Sequence, residues 1–219
     1  MLTAITTVFA VLLSIALFIV LPYYVSSLLE GRLQNHSLLM IIEGLIRIAI
    51  FLLYVWGISA MKDIKRLYQY HGAEHKCINC IERGRPLTVR NAMKCSRLHK
   101  RCGTSFMFFV MFVSIILFFF IRVEHMLMKV CLRILLMPVV AGISYEIIRL
   151  AGRSNNILVR ILSAPGMMIQ RMTTKEPDES MVEVAIAAVE SVFDWKQYLI
   201  EKFGYEAEEL AESSEDVED

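Results

Sequence analysis

The sequence predicts an all-α, polytopic membrane protein: a helical bundle of about four spans, with a cytoplasmic helical hairpin loop and a cytoplasmic C-terminal helix. Two observations predict this fold class. Hydrophobic residues make up 56% of the 219-residue chain, and its mean hydropathy of +0.53 is above that of soluble domains. Four apolar runs also approach the roughly 20 residues that a helix needs to cross a bilayer. Composition therefore excludes an ordinary soluble domain.

The four predicted spans differ in how much charge they contain. The first and third carry no charged residue, whereas the second contains Glu43 and Arg47 and the fourth contains Glu146 and Arg149. The first run has neither a basic leader nor a small-residue cleavage site, so we expect it to be retained as a span. The runs are residues 2–21, 38–61, 104–121 and 130–150.

The distribution of Lys and Arg predicts the orientation of the spans. Residues 62–101 contain eleven basic and three acidic side chains, a net charge of +8, between the second and third spans. Such loops stay in the cytoplasm. We therefore expect a multi-pass protein of the cell inner (cytoplasmic) membrane with both termini cytoplasmic. Four of the five cysteines fall in residues 62–103, which fits a reducing compartment.

The C-terminal region is strongly acidic. Residues 176–219 contain fifteen acidic side chains and two lysines. Ser180 and Glu183 are spaced as a capping box, which predicts a helix that ends near Leu199. The final residues show no pattern that could form a core and are expected to be disordered. The chain thus divides into residues 1–61 (two spans), 62–103 (basic His/Cys loop), 104–150 (two spans), 151–200 (interfacial segment and amphipathic helix) and 201–219 (acidic disordered tail).

The basic loop holds the motif H-x-x-E-H, formed by His71, Glu74 and His75. Residues four apart share one face of a helix, so both imidazoles could bind one ion. The intervening glutamate could then accept a proton from water. The motif predicts a zinc site, or a site for another divalent transition metal.

A second cluster, His99 and Cys102, lies near the start of the third span. We expect a helix that begins around Pro86 and Thr88, carries both residues one turn apart and ends at Gly103. Two antiparallel arms would then bring His71, His75, His99 and Cys102 together as four zinc ligands.

The remaining histidines and cysteines have plainer interpretations. Cys77 and Cys80 have C-x-x-C spacing, but one such pair without a partner pair is a weak metal signal. Cys95 and Cys131 are expected in the core, and His36 and His125 at the outer membrane boundary.

The charges within the spans are predicted to pair. An ionised side chain near the bilayer centre costs roughly 2.5–3.5 kcal/mol on insertion scales. Glu43 and Arg47 are four residues apart, and Glu146 and Arg149 are three apart, so each pair can form on one helix face. The alternative is a polar cavity or a surface on which another membrane segment docks.

Six stretches of the sequence match a known pattern: EGLIR (43–47), YHGAEHK (70–76), SRLHKRCGTSF (96–106), PVVAGISYE (138–146), APG (164–166) and TTKEPDESMVEVAI (173–186). In these stretches the chain resembles the YqhQ-like family of bacterial membrane proteins, a domain of unknown function often described as metal-dependent enzymes. Lys100 departs from the family pattern, which usually has proline there. The family's N-terminal glycine-rich segment has no counterpart here, so the resemblance implies a partial version or one that works with a partner.

Two classes of function stay open, and the four candidate ligands without a carboxylate favour the first. In the first, the metal staples the loop of a scaffold, chaperone or insertion factor for membrane proteins. Its expected partners are membrane lipid, another membrane protein or the translocation machinery, the ribosome through the basic loop, and a second copy of the chain. In the second, which the family description implies, the protein is a membrane-embedded metal-dependent hydrolase with Glu74 as general base. A closed four-ligand site is typical of the first, and three protein ligands plus water of the second.

Overall fold

The computed structural model describes residues 2–30, 35–120, 123, 126–153 and 156–210, and every regular element in these ranges is helical. This confirms the all-α fold class. The helices are α1 (Leu2–Ile15), a π-helical turn (Ala16–Val20), α2 (Leu21–Glu30), α3 (His36–Ser59), α4 (Lys62–Glu82), α5 (Val89–Met93), α6 (Gly103–Phe119), α7 (Met126–Arg153), α8 (Ile157–Thr173), α9 (Glu179–Glu190) and α10 (Trp195–Phe203).

The chain forms two compact units, and each is discontinuous in sequence. The membrane unit comprises Met1–Gly57 and Arg101–Gly166, and the histidine unit comprises Ile58–Lys100 and Met167–Asp219. The basic loop and the C-terminal region, which the sequence predicts as separate segments, therefore belong to one unit.

The membrane unit contains three helices that are long and apolar enough to cross a membrane: Leu2–Leu29, Ser37–Ser59 and Cys131–Arg153. The apolar helix α6 is shorter, and its 17 residues span about 26 Å at 1.5 Å per residue. Large apolar side chains along these helices are exposed, among them Phe9, Trp56 and Leu135. Such exposure fits contact with lipid, so the chain is a membrane protein with three or four spans.

The first span is longer than the sequence predicts, because the helix continues past Pro22 to Glu30. Proline lacks an N–H group, and its ring clashes with the carbonyl group four residues earlier in an α-helix. The π-helical turn Ala16–Val20 lies directly before it, where the Leu21 N–H bonds to the carbonyl oxygen of Ala16, five residues back. This wider turn makes room for the proline ring, so the helix continues past Pro22.

The histidine unit has its own apolar core, in which α4, α5, α9 and α10 pack together. Leu199 and Val182 are completely buried there, and so are the thiols of Cys77 and Cys80. Leu210 is 1% exposed in the same core, and the Tyr205 hydroxyl donates to the Gly84 carbonyl oxygen at 2.7 Å. The chain is thus part of the fold as far as Leu210, where the sequence predicts a disordered tail from residue 201. Residues 211–219 lie outside the described ranges.

The C-terminal helix begins and ends differently from the predicted one. Asp178, not Ser180, caps α9, because its carboxylate accepts a hydrogen bond from the Met181 N–H at 2.9 Å. The Ser180 hydroxyl instead donates to that carboxylate at 2.7 Å. These two hydrogen bonds lower the pKa of Asp178. The helix ends at Glu190, and α10 starts anew at Trp195 with Asp194 as its cap.

Candidate metal centre

His71 and His75 lie one turn apart on α4, as the H-x-x-E-H spacing predicts. His75 is 4% exposed and His71 is partly buried. Their ring centroids are 4.4 Å apart, and a ligand nitrogen of one ring lies within 4.8 Å of a ligand nitrogen of the other. The helix thus brings two imidazoles together inside the histidine unit.

Both imidazoles are oriented by backbone carbonyl groups from other segments. Nδ1 of His71 donates to the Thr173 carbonyl oxygen at 2.9 Å, and Nδ1 of His75 donates to the Arg97 carbonyl oxygen at 2.8 Å. A carbonyl oxygen can only accept, so Nδ1 carries the hydrogen in each ring. The lone pair of each neutral ring then lies on Nε2, which is the arrangement that metal-binding histidines use.

The spacing of the two rings suits a transition-metal ion. Zinc–nitrogen bonds of about 2.0–2.1 Å at a tetrahedral angle place two ligand nitrogens about 3.4 Å apart. The ligand nitrogens of the two rings lie within 4.8 Å of each other, which is close to that separation. The donor set of two neutral imidazoles fits zinc and other divalent transition metals.

Gly72, between the two histidines in sequence, permits a close approach of another segment. The extended residues 174–178 run along α4, where the Lys175 N–H donates to the Tyr68 carbonyl oxygen at 2.8 Å. A Cβ atom at position 72 would lie 2.1 Å from the Lys175 carbonyl oxygen. Only glycine fits there, and this contact places Thr173 beside His71.

His99 does not join the two histidines in the way the sequence predicts. Its Nε2 lies 3.1 Å from a carboxylate oxygen of Glu82, and its ring centroid is 5.8 Å from that of His75. A carboxylate accepts hydrogen bonds, so Nε2 carries a hydrogen and has no lone pair for a metal. The buried Gln170 side chain fixes the His99 backbone, accepting from its N–H at 2.9 Å and donating to its carbonyl oxygen at 2.7 Å.

The predicted helix through His99 and Cys102 is absent. Thr88 caps α5, because its hydroxyl oxygen accepts from the Asn91 N–H, but α5 ends at Met93. His99 lies in the irregular residues 94–102, and Gly103 begins α6 instead of ending a helix. Cys102 belongs to the membrane unit, where it is buried at the N-cap of α6 with its sulfur 3.2 Å from the Thr104 hydroxyl. Its role as a ligand stays a prediction.

Glu74 is exposed on the outer side of α4. Within the described part of the chain, no hydrogen bond or ion pair engages its carboxylate. The backbone carbonyl groups, not Glu74, orient the imidazoles, so this carboxylate is available to a ligand or to water.

An ion cluster around the buried Lys76 lies directly beside the site and was not predicted. Lys76 is 3% exposed and donates to the carbonyl oxygens of Met93 and Cys95 at 2.9 and 3.0 Å. Its ammonium group lies 2.6 Å from the Glu176 carboxylate, which also lies 3.3 Å from the Arg97 guanidinium group. The acidic C-terminal region thus neutralises part of the basic loop within one unit. The opposite net charges of the basic loop and the C-terminal region indicate that the two attract each other. They do not identify which residues form the ion pairs.

Cys77 and Cys80 are core residues. Burial raises the pKa of each thiol to about 12, and the neighbouring Cys95 contributes in the same direction. Metal binding requires a thiolate, so these surroundings disfavour a ligand role for either residue. Cys95 is buried as predicted, whereas Cys131 is exposed on α7, contrary to the prediction. An apolar side chain on a lipid-facing helix need not be buried by protein.

The charges of the spans pair as predicted, with one addition. Glu43 and Arg47 are 2.9 Å apart on α3, and Arg133 of α7 approaches the same carboxylate oxygen at 3.5 Å. The Nε atoms of Arg47 and Arg133 are buried without a hydrogen-bond partner among the described residues. Glu146 and Arg149 form an exposed pair at 2.9 Å. The side chain of His36 and the whole of His125 lie outside the described parts of the chain.

Comparison with known proteins gives a family without an assigned function. Residues 1–195 match the family DUF1385, described as a protein of unknown function. The chain is 38% identical over 184 residues to the uncharacterized protein YqhQ of Bacillus subtilis (strain 168), which covers 84% of this chain. It spans 58% of the length of that relative. No solved structure matches significantly.

Proposed function

The chain belongs to the DUF1385 family, whose description assigns no function, and we therefore propose a function from the site itself: a membrane-bound, metal-dependent hydrolase. His71 and His75 bind one divalent transition metal ion, with zinc as the best fit to two imidazoles. We place the protein in the cell inner membrane with the histidine unit on the cytoplasmic side, because residues 62–100 of the Lys/Arg-rich loop belong to that unit.

The observation that carries this proposal is the orientation of the two imidazoles. Backbone carbonyl oxygens accept from both Nδ1 atoms, so the lone pair of each neutral ring lies on Nε2, the nitrogen that would bind the ion.

The hydrolytic role is favoured by the state of His99. Its Nε2 faces Glu82, so this nitrogen is not a metal ligand in the observed conformation. With His71 and His75 as its protein ligands, the ion keeps positions that water can occupy. When bound, zinc lowers the pKa of a water ligand to about 7. Glu74, exposed and one residue before His75, would accept the proton from the attacking water.

Metal analysis of the purified full chain tests the site. We expect about one zinc ion per chain in the wild type and loss of that zinc in His71→Ala and in His75→Ala. His99→Ala is the matched control and is expected to retain the metal. Cys102→Ala tests the remaining predicted ligand. A wild type without stoichiometric metal, or zinc retained after loss of both His71 and His75, contradicts the proposal.

Cobalt substitution separates a catalytic from a structural site without knowledge of the substrate. The visible spectrum of Co²⁺ depends on its ligands, so azide is expected to change the spectrum of a site with an open position. Glu74→Gln should keep the metal and shift the pH at which the cobalt spectrum titrates, because a general base beside the water has been removed. A spectrum that responds to neither azide nor pH would indicate a closed site and exclude the hydrolase.

A second candidate function is favoured by the way in which the site joins segments. The carbonyl partners of His71 and His75 come from the two segments that contain Thr173 and Arg97, so a metal there would staple three parts of the histidine unit. In this alternative, the protein is a scaffold, chaperone or insertion factor for membrane proteins. Partners would be the translocation machinery, the ribosome or a second copy. Metal removal would then lower the melting temperature, and Glu74→Gln would change neither the spectrum nor the stability.

A further inference from the structure

The membrane unit holds two arginines against a single carboxylate. Arg47 of α3 lies 2.9 Å from the Glu43 carboxylate, and Arg133 of α7 approaches the same oxygen atom at 3.5 Å. Among the residues that the structure describes, no second carboxylate pairs with either arginine. Two guanidinium groups and one carboxylate leave one surplus positive charge. These three residues are called the arginine cluster below.

The arginine cluster lies within the apolar stretches of its helices. Arg47 is near the middle of the 24-residue helix α3, about 16 Å along the axis from its nearer end. Arg133 is turned toward Glu43, and its guanidinium carbon lies 5.2 Å from the centre of the Phe118 ring. An ionised side chain in an apolar region is costly unless an opposite charge neutralises it. An aromatic ring stabilises a cation less than a carboxylate does, so the surplus charge favours an anionic partner.

A small cavity between the helices is too narrow to admit that anion. Its volume is about 10 Å³, and its walls include both arginines, Glu43 and Ser114. This is room for about one water molecule. The Nε atoms of Arg47 and Arg133 are buried without a hydrogen-bond partner among the described residues, so a water molecule in the cavity could accept from them. Water carries no charge, so a neutralising group has to approach from the surface of the unit.

The arginine cluster is accessible from that surface. The side chains of Arg47 and Arg133 are 19% and 27% exposed. Met137, one turn after Arg133 on the same face of α7, is 53% exposed. A helix that packs along this face of α7 would therefore cover Met137 and come within reach of the Arg133 guanidinium group.

We propose that the arginine cluster is a docking site for a membrane-spanning helix of another protein, one that carries an Asp or Glu within its apolar stretch. The carboxylate pairs with the Arg133 guanidinium group and neutralises the surplus charge. A second copy of this chain fits poorly, because it brings the same surplus positive charge. The headgroup of an anionic lipid stays at the membrane boundary, whereas Arg47 lies near the middle of its helix.

Fluorescence energy transfer in phosphatidylcholine vesicles tests this proposal. The full chain carries a donor dye on Cys131, an exposed thiol of α7, whereas the other four cysteines are buried. The probes are synthetic membrane-spanning helices of about 20 Leu and Ala residues. Each carries an acceptor dye and one central Asp, Asn or Ala. We expect the Asp helix to reach half-maximal transfer at a membrane concentration at least about tenfold below that of the Asn and Ala helices.

Substitutions of arginine identify the docking site. Arg133→Gln removes the surplus charge and should raise the half-maximal concentration of the Asp helix at least about tenfold. Arg133→Lys keeps the charge and should bind the Asp helix more tightly than Arg133→Gln does. Arg160→Gln changes an exposed arginine of the same unit outside the cluster, and this matched control should bind as the wild type does. Because Glu43 and Arg47 still pair in Arg133→Gln, this variant should melt no lower than the wild type.

Three other results would overturn the proposal. Equal transfer to the Asp, Asn and Ala helices, or an equal loss in Arg160→Gln, would show that the cluster does not recognise a carboxylate. Transfer between two labelled copies of the chain that is lost in Arg133→Gln would make a second copy the occupant. Loss of Asp-helix binding when phosphatidylglycerol is added to the vesicles would assign the site to an anionic lipid. The comparison of the three helices uses the wild type, so it decides the proposal even if a variant misfolds.

Discussion

At the scale of single residues, the site is defined as much by its backbone contacts as by its side chains. The histidines supply nitrogen atoms, but Gly72 lets the segment of residues 174–178 approach α4, and Gln170 fixes the backbone of His99. Neither residue type has metal chemistry of its own. Their effect is to set the positions of the carbonyl groups that orient the imidazoles.

Substitution of Gly72 should therefore be costly. In Gly72→Ala, the new Cβ atom would lie 2.1 Å from the Lys175 carbonyl oxygen, so the extended segment must move. We expect a loss of about 1–3 kcal/mol in the free energy of unfolding, the usual cost of overpacking, and weaker zinc binding. Chemical denaturation in detergent measures the first and metal titration the second. Gly142→Ala, where nothing lies within 4 Å of the new atom, is the control and should be neutral or stabilising. Equal effects at both positions would contradict the close contact.

The buried thiols should make stability fall at high pH. Burial raises the pKa of Cys77 and of Cys80 from 9.0 to about 12. The two thiols make their full contribution to the free energy of unfolding below pH 9. As the pH rises from 9 to 12, the unfolded state loses these protons first, so stability falls.

Unfolding midpoints measured across this pH window test the effect. The wild type should lose stability more steeply than Cys80→Ala, which has one buried thiol fewer to titrate. Lysines and tyrosines contribute equally to both proteins, so the difference in slope reports Cys80. Parallel curves would show that the thiol titrates normally in the fold.

At the scale of elements, α3 and α7 are joined by charges inside the apolar region. Glu43 is 12% exposed in its side chain and meets two guanidinium groups, from Arg47 on its own helix and Arg133 on α7. One carboxylate against two arginines leaves a surplus positive charge. The phenyl ring of Phe118, 5.2 Å from the Arg133 guanidinium carbon, stabilises part of it.

Removal of Glu43 should destabilise the membrane unit strongly. Glu43→Ala strands both arginines in an apolar setting, and loss of one partner from a buried ion pair costs about 3–5 kcal/mol. The double variant Glu43→Ala/Arg47→Ala should recover part of this loss. Glu146→Ala breaks an exposed pair and is the control, with an expected cost of about 0–1 kcal/mol. Thermal unfolding in detergent provides the double-mutant cycle, and strictly additive effects would show that Glu43 and Arg47 do not interact.

At the scale of the whole molecule, the chain builds two units from interleaved segments. The histidine unit takes residues 58–100 from between the spans and residues 167–210 from the C-terminal region. Its core therefore forms only when two distant parts of the chain meet. Glu176 of the C-terminal segment forms ion pairs with Lys76 and Arg97 of the other segment, so the two segments also attract each other by charge.

The orientation of the histidine unit can be tested by labelling. The native cysteines of this unit are unsuitable, because Cys77, Cys80 and Cys95 are buried and would resist a thiol reagent on either side of the membrane. In a Cys131→Ala background, Ser191→Cys places a thiol at an exposed position of the unit. An impermeant maleimide should label it only after the cells are permeabilised, whereas Gln34→Cys, in the loop expected outside, should react in intact cells. The reverse pattern would invert the topology.

The sequence by itself determined the class of the protein and its local chemistry. Apolar runs predicted the membrane helices, and the spacing of four residues placed His71 and His75 on one face and paired Glu43 with Arg47. These features depend on helical periodicity and on residues close in sequence, so they can be predicted from the sequence alone.

Only the tertiary structure shows which groups these residues contact. His99 turns to Glu82, the imidazoles of His71 and His75 bond to carbonyl groups of distant segments, and Leu210 completes a core. Every residue type has a backbone carbonyl group, so the sequence cannot indicate which carbonyl a histidine contacts. A single leucine such as Leu210 forms no periodic pattern from which its burial could be predicted. Contacts between distant segments depend on how the helices pack. Spacing therefore placed His71 and His75 on one helix face but could not show that His99 lies against Glu82.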